Sequence, residues 1–295
     1  VVTCPDGTPA DVVPRCDDRA VTDDRPEDRP DHPDTDDRPS RALLARRVVG
    51  FDEALHKRMA TSTERLPFGS VRVTPDLPLV YSLSGMHIDR PVALSELRVA
   101  VDRWMGDLPN QSVWTTRAEV AWSLGGAMTE DGWTLSRVVF MVHDRTTEPT
   151  VSPLGFRTVD AEEYAVFTRP FVMEEEWGSP PVAEQMVRRD ARLQARMDAR
   201  FVLAPDADAG CQIYRHGTTA QVEAVGVLAE SRGRGLGAGL MAAAMRECAD
   251  AETVFLIADA DDWPKDWYAR LGFGKVATGW EWNRKRDTED ATAEG

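Results

Sequence analysis

The sequence is poor in the residues that build extracellular staples, metal clusters and membrane spans. Four cysteines occur in 295 residues and none has metal-like spacing: Cys4 and Cys16 lie in a polar leader, Cys211 in a strand-like run, Cys248 on an apolar helix face. Cys211 and Cys248 are expected as buried, reduced thiols. The five histidines are scattered, and His87 and His143 sit in strand-like contexts that suit structural histidines. No apolar stretch reaches the roughly 18 residues of a membrane-spanning helix, and the N-terminus lacks the apolar centre of a signal peptide. Basic charge is scarce, with 35 Lys and Arg against 50 Asp and Glu and a net charge of −15. That balance argues against nucleic acid or an anionic membrane surface as partner. The expectation is a cytoplasmic protein without a metal.

What is present is a leader and two folded units. Residues 1–40 are dominated by Asp, Arg and Pro, with Asp-Arg-Pro recurring at 24–26, 28–30 and 37–39. Such a segment buries too little apolar area to offset its chain entropy and is expected to be disordered. It begins with Val and reads as a non-standard leader, an over-extended reading frame or an interaction tail. Residues 286–295 read as a second polar tail. Hydrophobic content of 42% is ample for a core, and the length implies more than one unit, taken as 41–150 and 151–285.

The most informative stretch is Val222-Glu-Ala-Val-Gly-Val-Leu-Ala-Glu-Ser-Arg-Gly-Arg-Gly-Leu-Gly-Ala238. An apolar strand enters a glycine loop that opens directly into a helix. Glycines at 233, 235 and 237 remove side chains, so backbone N–H groups and the positive end of the helix dipole can surround a pyrophosphate. Gly233-x-Gly235-x-x-Ala238 satisfies the dinucleotide pattern of doubly wound folds. Arg232-x-x-Gly235-x-Gly237 equally resembles the acyl-CoA loop of the GNAT N-acetyltransferase superfamily. A dinucleotide loop follows the first strand of its domain and needs roughly 100 residues after it, whereas about 60 remain here. Position therefore favours the GNAT resemblance over the dinucleotide and over a glycine-rich helix start with no ligand.

The flanking pattern carries the resemblance further. Leu236, Leu240, Met241, Ala244, Met245 and Cys248 share one helix face. Thr253–Ile257 reads as a buried strand, Trp263–Leu271 as a short helix with Pro264 in its first turn, Gly272 as its cap, and Lys275–Trp282 as the last strand. The order strand, glycine loop, helix, strand, short helix, Tyr-x-x-x-Gly-Phe, strand is similar to the C-terminal half of a GNAT domain. Upstream, Tyr164–Phe167 fits a first strand and Val182–Met197 a helix with Val182, Met186, Leu193 and Met197 inward. Ala199–Leu203, Cys211–Tyr214 and Gln221–Val227 fit further strands, the last two joined by a turn at His216–Thr219.

Residues 41–150 repeat this logic in damaged form. Phe51, Ala54, Leu55 and Met59 make one helix face and Leu94, Leu97, Val101 and Trp104 another. Val71, Val73 and Leu79–Tyr81 suggest strands. Leu124–Glu130, Asp131-Gly-Trp133 and Leu135–Val142 parallel the helix, Gly, aromatic and strand around Gly272. Where the loop belongs stands Asp89-Arg90-Pro91, without glycine, so this unit is not expected to hold a pyrophosphate. It resembles the first half of a tandem GNAT arrangement and is read as a wall for the acceptor site; an unrelated α/β domain is the alternative. The fold class expected is mixed α/β, with two GNAT-like domains, each a twisted mixed sheet flanked by helices and the second one complete.

The resemblance implies an N-acyltransferase using acetyl-CoA on a primary amine, of a small molecule or of a peptide or protein, by direct transfer. Val225, Val227, Arg232, Gly233, Arg234, Gly235, Leu236, Gly237, Ala238 and Asp261 are the expected cofactor-binding residues. Asp261 stands where the family usually has Asn, seven residues before Tyr268. An alkylammonium with a pKa near 10.4 is nearly all protonated at pH 7, so a base is required. Glu223 is the candidate, placed by strand alternation on one face with Gln221, Val225 and Val227, with Gln221 to hold a water and Asp259 or Asp261 as fallback bases. A solvated strand residue is the plain alternative for Glu223. Tyr268 matches the family tyrosine that protonates the leaving thiolate, the alternative being aromatic packing. Trp263, Trp267, Trp280 and Trp282 suggest an aromatic acceptor pocket or core packing. A non-catalytic acyl-CoA-binding regulator would need the loop but neither Glu223 nor Tyr268, and an interaction protein would need neither loop nor base.

Overall fold

The chain is described here by a computed structural model covering residues 39–152 and 155–286. The expected disorder of 1–40 and 286–295 falls outside that range except for Pro39, Ser40 and Arg286, and so do Cys4 and Cys16. Ser40 is ordered, its hydroxyl accepting the Leu43 N–H at 3.3 Å at the start of the first helix.

The first half runs α1 (Arg41–Met59), β1 (Ser62–Leu66), β2 (Gly69–Val73), β3 (Gly85–Ile88), α2 (Leu94–Met105), β4 (Asn110–Thr115), α3 (Ala118–Glu130) and β5 (Thr134–His143). The second runs β6 (Arg157–Val159), α4 (Ala161–Met173), α5 (Pro180–Arg196), β7 (Asp198–Leu203), β8 (Ala209–His216), β9 (Thr219–Val227), α6 (Leu236–Glu247), β10 (Thr253–Asp259), α7 (Pro264–Arg270) and β11 (Phe273–Lys285). No helix among the described residues is long and apolar enough to cross a membrane.

The two expected sheets are joined into one. Among the described residues the strand order is β1-β2-β3-β4-β11-β5-β10-β9-β8-β7-β6. Each half contributes a parallel pair with a helical crossover, β3 with β4 and β9 with β10. The last strands are exchanged between halves. β5 lies antiparallel to β10, with Phe255 opposite Val142, and β11 lies antiparallel to β4, with Trp282 opposite Val113. β11 and β5 then pair with each other at the centre.

Alternation along these strands sorts the core. On one face Val139, Met141, Ile213, Val222, Val254 and Leu256 pack under α6. On the other, Phe140, Phe201, Tyr214 and Phe255 meet α1, α4 and α5, with Phe51 of α1 edge-on to Phe255 at 5.3 Å. β10 is thus buried on both faces, which is why it reads as an unbroken apolar run. Cys211 and Cys248 are free and buried, and burial pushes the Cys248 thiol up to about 12.

Two expected strands are not strands. Tyr164–Phe167 lies inside α4: the Asp160 carboxylate accepts the Glu163 N–H at 2.8 Å, Glu162 and Glu163 occupy the first turn, and Tyr164, Phe167, Thr168 and Val172 are buried at helical spacing. Leu79–Tyr81 enters a short 3-10 turn at Tyr81–Leu83, because Pro75 and Pro78 break the run with turns. The α5 helix forms as expected, yet its fully buried residues include Asp190 beside Leu193, while Val182 and Met186 are only half-buried. His143 is structural, its Nδ1 accepting the Arg145 N–H at 2.9 Å. His87 stacks on Trp114 at 4.3 Å with Nδ1 3.3 Å from Glu53, and its buried Nε2 lacks a partner.

Candidate active site

The glycine loop forms an open cradle. Gly233 and Gly235 adopt left-handed φ of 76° and 80°, where a Cβ is disfavoured, and a Cβ at either would project into empty space. Gly235 is the N-cap of α6 with no capping side chain, so the first helical N–H groups face the cradle as anion donors. Val225, Val227, Arg232, Gly233, Gly235, Leu236 and Gly237 surround a cavity of about 310 Å³ together with Trp263, Trp267 and Tyr268. Arg234 and Ala238 are not part of its lining.

The loop arginines are less available than the sequence implies. Arg232 donates from Nε to the Val227 carbonyl at 3.1 Å and from a terminal nitrogen to Glu174 at 3.1 Å. The same Glu174 carboxylate accepts the Ala229 N–H. Arg232 therefore braces the loop, with its charge largely matched. Arg234 donates to Ser231 at 3.1 Å and lies 3.5 Å from Asp208.

Beside the cradle, the sheet opens. Parallel pairing of β9 with β10 ends at Val222 and Leu256. Beyond it Ala224 takes a positive φ of 51° and the β8–β9 register slips between Gln212↔Glu223 and Gly210↔Gly226. This bulge corrects the expected face assignment, since an extra residue inverts the alternation. Gln221 and Glu223 line the cavity shared with Tyr214, whereas Val225 and Val227 belong with Val222 on the α6 side. A small cleft in the opening is lined by Glu223, Val225, Ile257, Asp259 and Tyr268.

Tyr268 and Glu223 thus meet at the opening from opposite sides. Tyr268 is buried, its ring 5.0 Å from Trp267 and 6.1 Å from Phe273. Burial first, and the Glu223 charge second, push its phenol well above the ordinary range, so the hydroxyl keeps its proton at physiological pH. Glu223 accepts the Gln221 amide at 2.9 Å. Gln221 therefore holds the carboxylate itself, and its Oε1 is buried without a partner.

Glu223 also lines a cavity of about 200 Å³ between the halves, walled by Asp52, Arg72 and Trp114 of the first half, Glu281 of β11, and Arg189 and Tyr214 of the second. Behind it runs a polar chain absent from the sequence reading. Tyr214 donates to Gln212, Gln212 to Asp190 at 3.1 Å, and Arg189 and Thr168 to Asp190 at 2.6 and 2.9 Å. Glu281 accepts the Ser112 hydroxyl at 2.8 Å. Spacing gives no sign of these residues: strand exchange brings β11 and the first half to Glu223, and the packing of α4 and α5 on β8 assembles the chain behind it.

One expected site residue lies elsewhere. Asp261 is exposed and paired with Arg137 at 2.5 Å, away from the cradle lining, while Asp259 at the cleft accepts the Asp261 N–H at 2.7 Å. The four tryptophans do not form one pocket. Trp263 and Trp267 line the cradle, Trp280 the cavity between the halves, and Trp282 is fully buried in the first-half core. Their separation follows from the seat of β11 against β4.

Comparison with known proteins bears on the fold. A family model described as an acetyltransferase (GNAT) domain matches residues 197–275. A functionally unknown conserved protein from Staphylococcus epidermidis is similar in structure, with TM-score 0.66 and 14% identity over 77% of this chain and 95% of that one. A GCN5-related N-acetyltransferase from Kribbella flavida follows at TM-score 0.54 and 19% identity, covering 82% of this chain and 97% of that one. A tandem GNAT protein from the clavulanic acid biosynthesis pathway gives TM-score 0.49 and 15% identity, covering 79% and 87%. No curated protein matches the chain.

Proposed function

We propose that this protein transfers an acetyl group from acetyl-CoA to a primary amine by direct transfer, acting in the cytoplasm, where the free thiols of Cys211 and Cys248 persist. The observation that carries the reading is the opening beside Ala224, where the glycine cradle, Tyr268, Glu223 and the cavity between the halves adjoin. The fit to acetyl-CoA rests on the cradle itself: two left-handed glycines with empty space where a Cβ would stand, next to uncapped helical N–H groups. Gly233, Gly235, Leu236 and Gly237 would hold the pyrophosphate, and the separated edges of β9 and β10 would take the acyl-bearing arm.

Acetyl-CoA supplies a thioester, whose C–S bond breaks as the amine nitrogen bonds to the acyl carbon. The chain's residues manage the protons. Glu223, directly or through water, removes the proton the ammonium loses before attack. The second proton that the nitrogen loses as the amide forms passes to solvent, and the unpartnered Gln221 Oε1 supplies a second acceptor for amine N–H. Backbone N–H groups at Val225 or Val227 are donors for the carbonyl oxygen. Tyr268, held neutral, gives its proton to the departing thiolate and regains one from solvent. The test is free-thiol release from acetyl-CoA across a panel of amines, amino acids, amino sugars and peptides. Release with at least one acceptor supports the enzyme. Tight acetyl-CoA binding with no release from any acceptor would point to the non-catalytic regulator.

A further inference from the structure

We propose that the acceptor is a small zwitterionic amine, a free α- or ω-amino acid, whose carboxylate docks on Arg72 while its amine faces Glu223. The inference rests on the acetyl-transfer reading of the site and adds the class of acceptor.

The cavity between the halves sets unequal conditions on its charged groups. Arg189 is engaged by Asp190 at 2.6 Å, Glu281 by the Ser112 hydroxyl, Glu223 by the Gln221 amide, and the Asp52 carboxylate lies 3.4 Å from His56 Nδ1. Arg72 differs. Among the described residues no carboxylate lies within ion-pair distance of it, and its Nε is buried without a hydrogen-bond partner. Its guanidinium carbon stands 5.7 Å from the centre of the Trp114 ring, which His87 stacks against. Asp52, Glu281 and Glu53 act on its charge from a distance and oppose the lowering of its pKa by burial. A guanidinium stays charged and presents a rigid donor fork suited to a carboxylate. Leaving it buried and unmatched is costly, and a ligand carboxylate would remove that cost.

The remaining lining decides against a simple anion. Asp52, Glu223 and Glu281 all face the same cavity and would repel a ligand carrying negative charge alone. A zwitterion satisfies both sets, with its ammonium among the carboxylates and its carboxylate on Arg72. Apolar walls from Leu55, Met59, Phe140 and Ile257, and a volume of about 200 Å³, suit a molecule the size of a single amino acid.

The test measures binding and transfer separately on the full chain with CoA present. L-leucine, L-methionine, L-phenylalanine, β-alanine and γ-aminobutyrate are titrated by calorimetry, each against its own carboxamide. At least one acid is expected to bind about 10- to 100-fold tighter than its amide, the scale of a charge-assisted hydrogen-bonded pair. The preference should fall to near unity in Arg72→Met and to an intermediate value in Arg72→Lys; if Arg72→Met does not fold, Arg72→Lys decides. No preference in the wild type, a preference unchanged in the Arg72 variants, or no binding of any probe would overturn the proposal. Thiol release with polyamines or amino sugars but with no amino acid would overturn it and leave acetyl transfer standing. Acid-over-amide binding without thiol release would support the docking role of Arg72 and sink acetyl transfer instead.

Discussion

The corner after β9 and the corner after β3 occupy equivalent places in the two halves, and they have opposite fates. Within β9 the chain leaves its parallel partner at Val222 and bulges at Ala224, and after it spreads a glycine loop whose N–H groups face a cavity. After β3, the Asp89 and Arg90 N–H groups are spent on the Phe68 carbonyl at 2.9 and 3.3 Å, and Asp89 pairs with Arg65 at 2.8 Å. The edge that would open is closed by the Thr115 hydroxyl, which donates to the Ile88 carbonyl at 2.7 Å. A cradle therefore takes more than a strand–turn–helix unit. The strands must also part, and the loop donors must be left without protein acceptors.

The comparison breaks most severely if the halves are separated. Both sheet neighbours of β11, β4 and β5, come from the first half, and β10 loses β5 as well. A chain of residues 151–295 alone is expected to lack a cooperative unfolding transition by circular dichroism, and adding residues 41–150 in trans should restore it. A fragment that unfolds cooperatively with native hydrogen-exchange protection in β11 would contradict the exchanged-strand account.

Next in size is the loss of the Tyr268 hydroxyl. Tyr268→Phe keeps the ring against Trp267 and Phe273 and should leave acetyl-CoA affinity unchanged, while turnover falls about 100-fold, the scale for a positioned acid. Wild-type turnover on a verified acceptor would remove the tyrosine from the mechanism.

The sealed corner has its own signature. Burial lowers the His87 pKa to about 4, below the unfolded value near 6.5. Between these values the unfolded chain binds a proton that the folded chain does not, so stability is fully present above pH 6.5 and declines as pH falls toward 4. The loss at pH 5 is about 2 kcal/mol from this group. Burial raises the neighbouring Glu53 carboxyl, which acts in the opposite sense at lower pH. His87→Gln should therefore lose less stability than wild type between pH 7 and pH 5 in urea titrations. Equal losses would show that His87 titrates normally in the fold. Thr115→Val removes both the bond donated to the Ile88 carbonyl and the one accepted from the Arg117 N–H and should cost about 2 kcal/mol, at about 1 kcal/mol each, read from the same titrations. A neutral outcome would remove the Thr115 staple from the account of the closed edge.

Local signals carried much of this far. The glycine loop, α6, α7 and the run of β10 were legible because each is fixed by neighbours in sequence: φ-permissive glycines, helical periodicity, an early proline, an unbroken apolar strand. The Tyr164–Phe167 segment misled because four apolar-rich residues fit either period, and the deciding signal was the Asp160 cap before them. The bulge at Ala224 escaped because alternation assumes an unbroken register. Arg72, Asp190 and Glu281 escaped for a different reason. Arg72 and Glu281 depend on which strands sit side by side, and the exchange of β5 and β11 leaves no mark in the spacing of either half, whereas Asp190 depends on how α4 and α5 pack on β8.

The central claim is that one corner of the two binds acetyl-CoA. Titrating the full chain with acetyl-CoA by calorimetry tests it, alongside Gly235→Val, which puts a β-branched side chain at a left-handed φ of 80° and into the open cradle. The expected result is one site per chain in the wild type and no measurable binding in the variant, with the variant still folded. Two sites per chain, or unchanged affinity in Gly235→Val, would contradict the account.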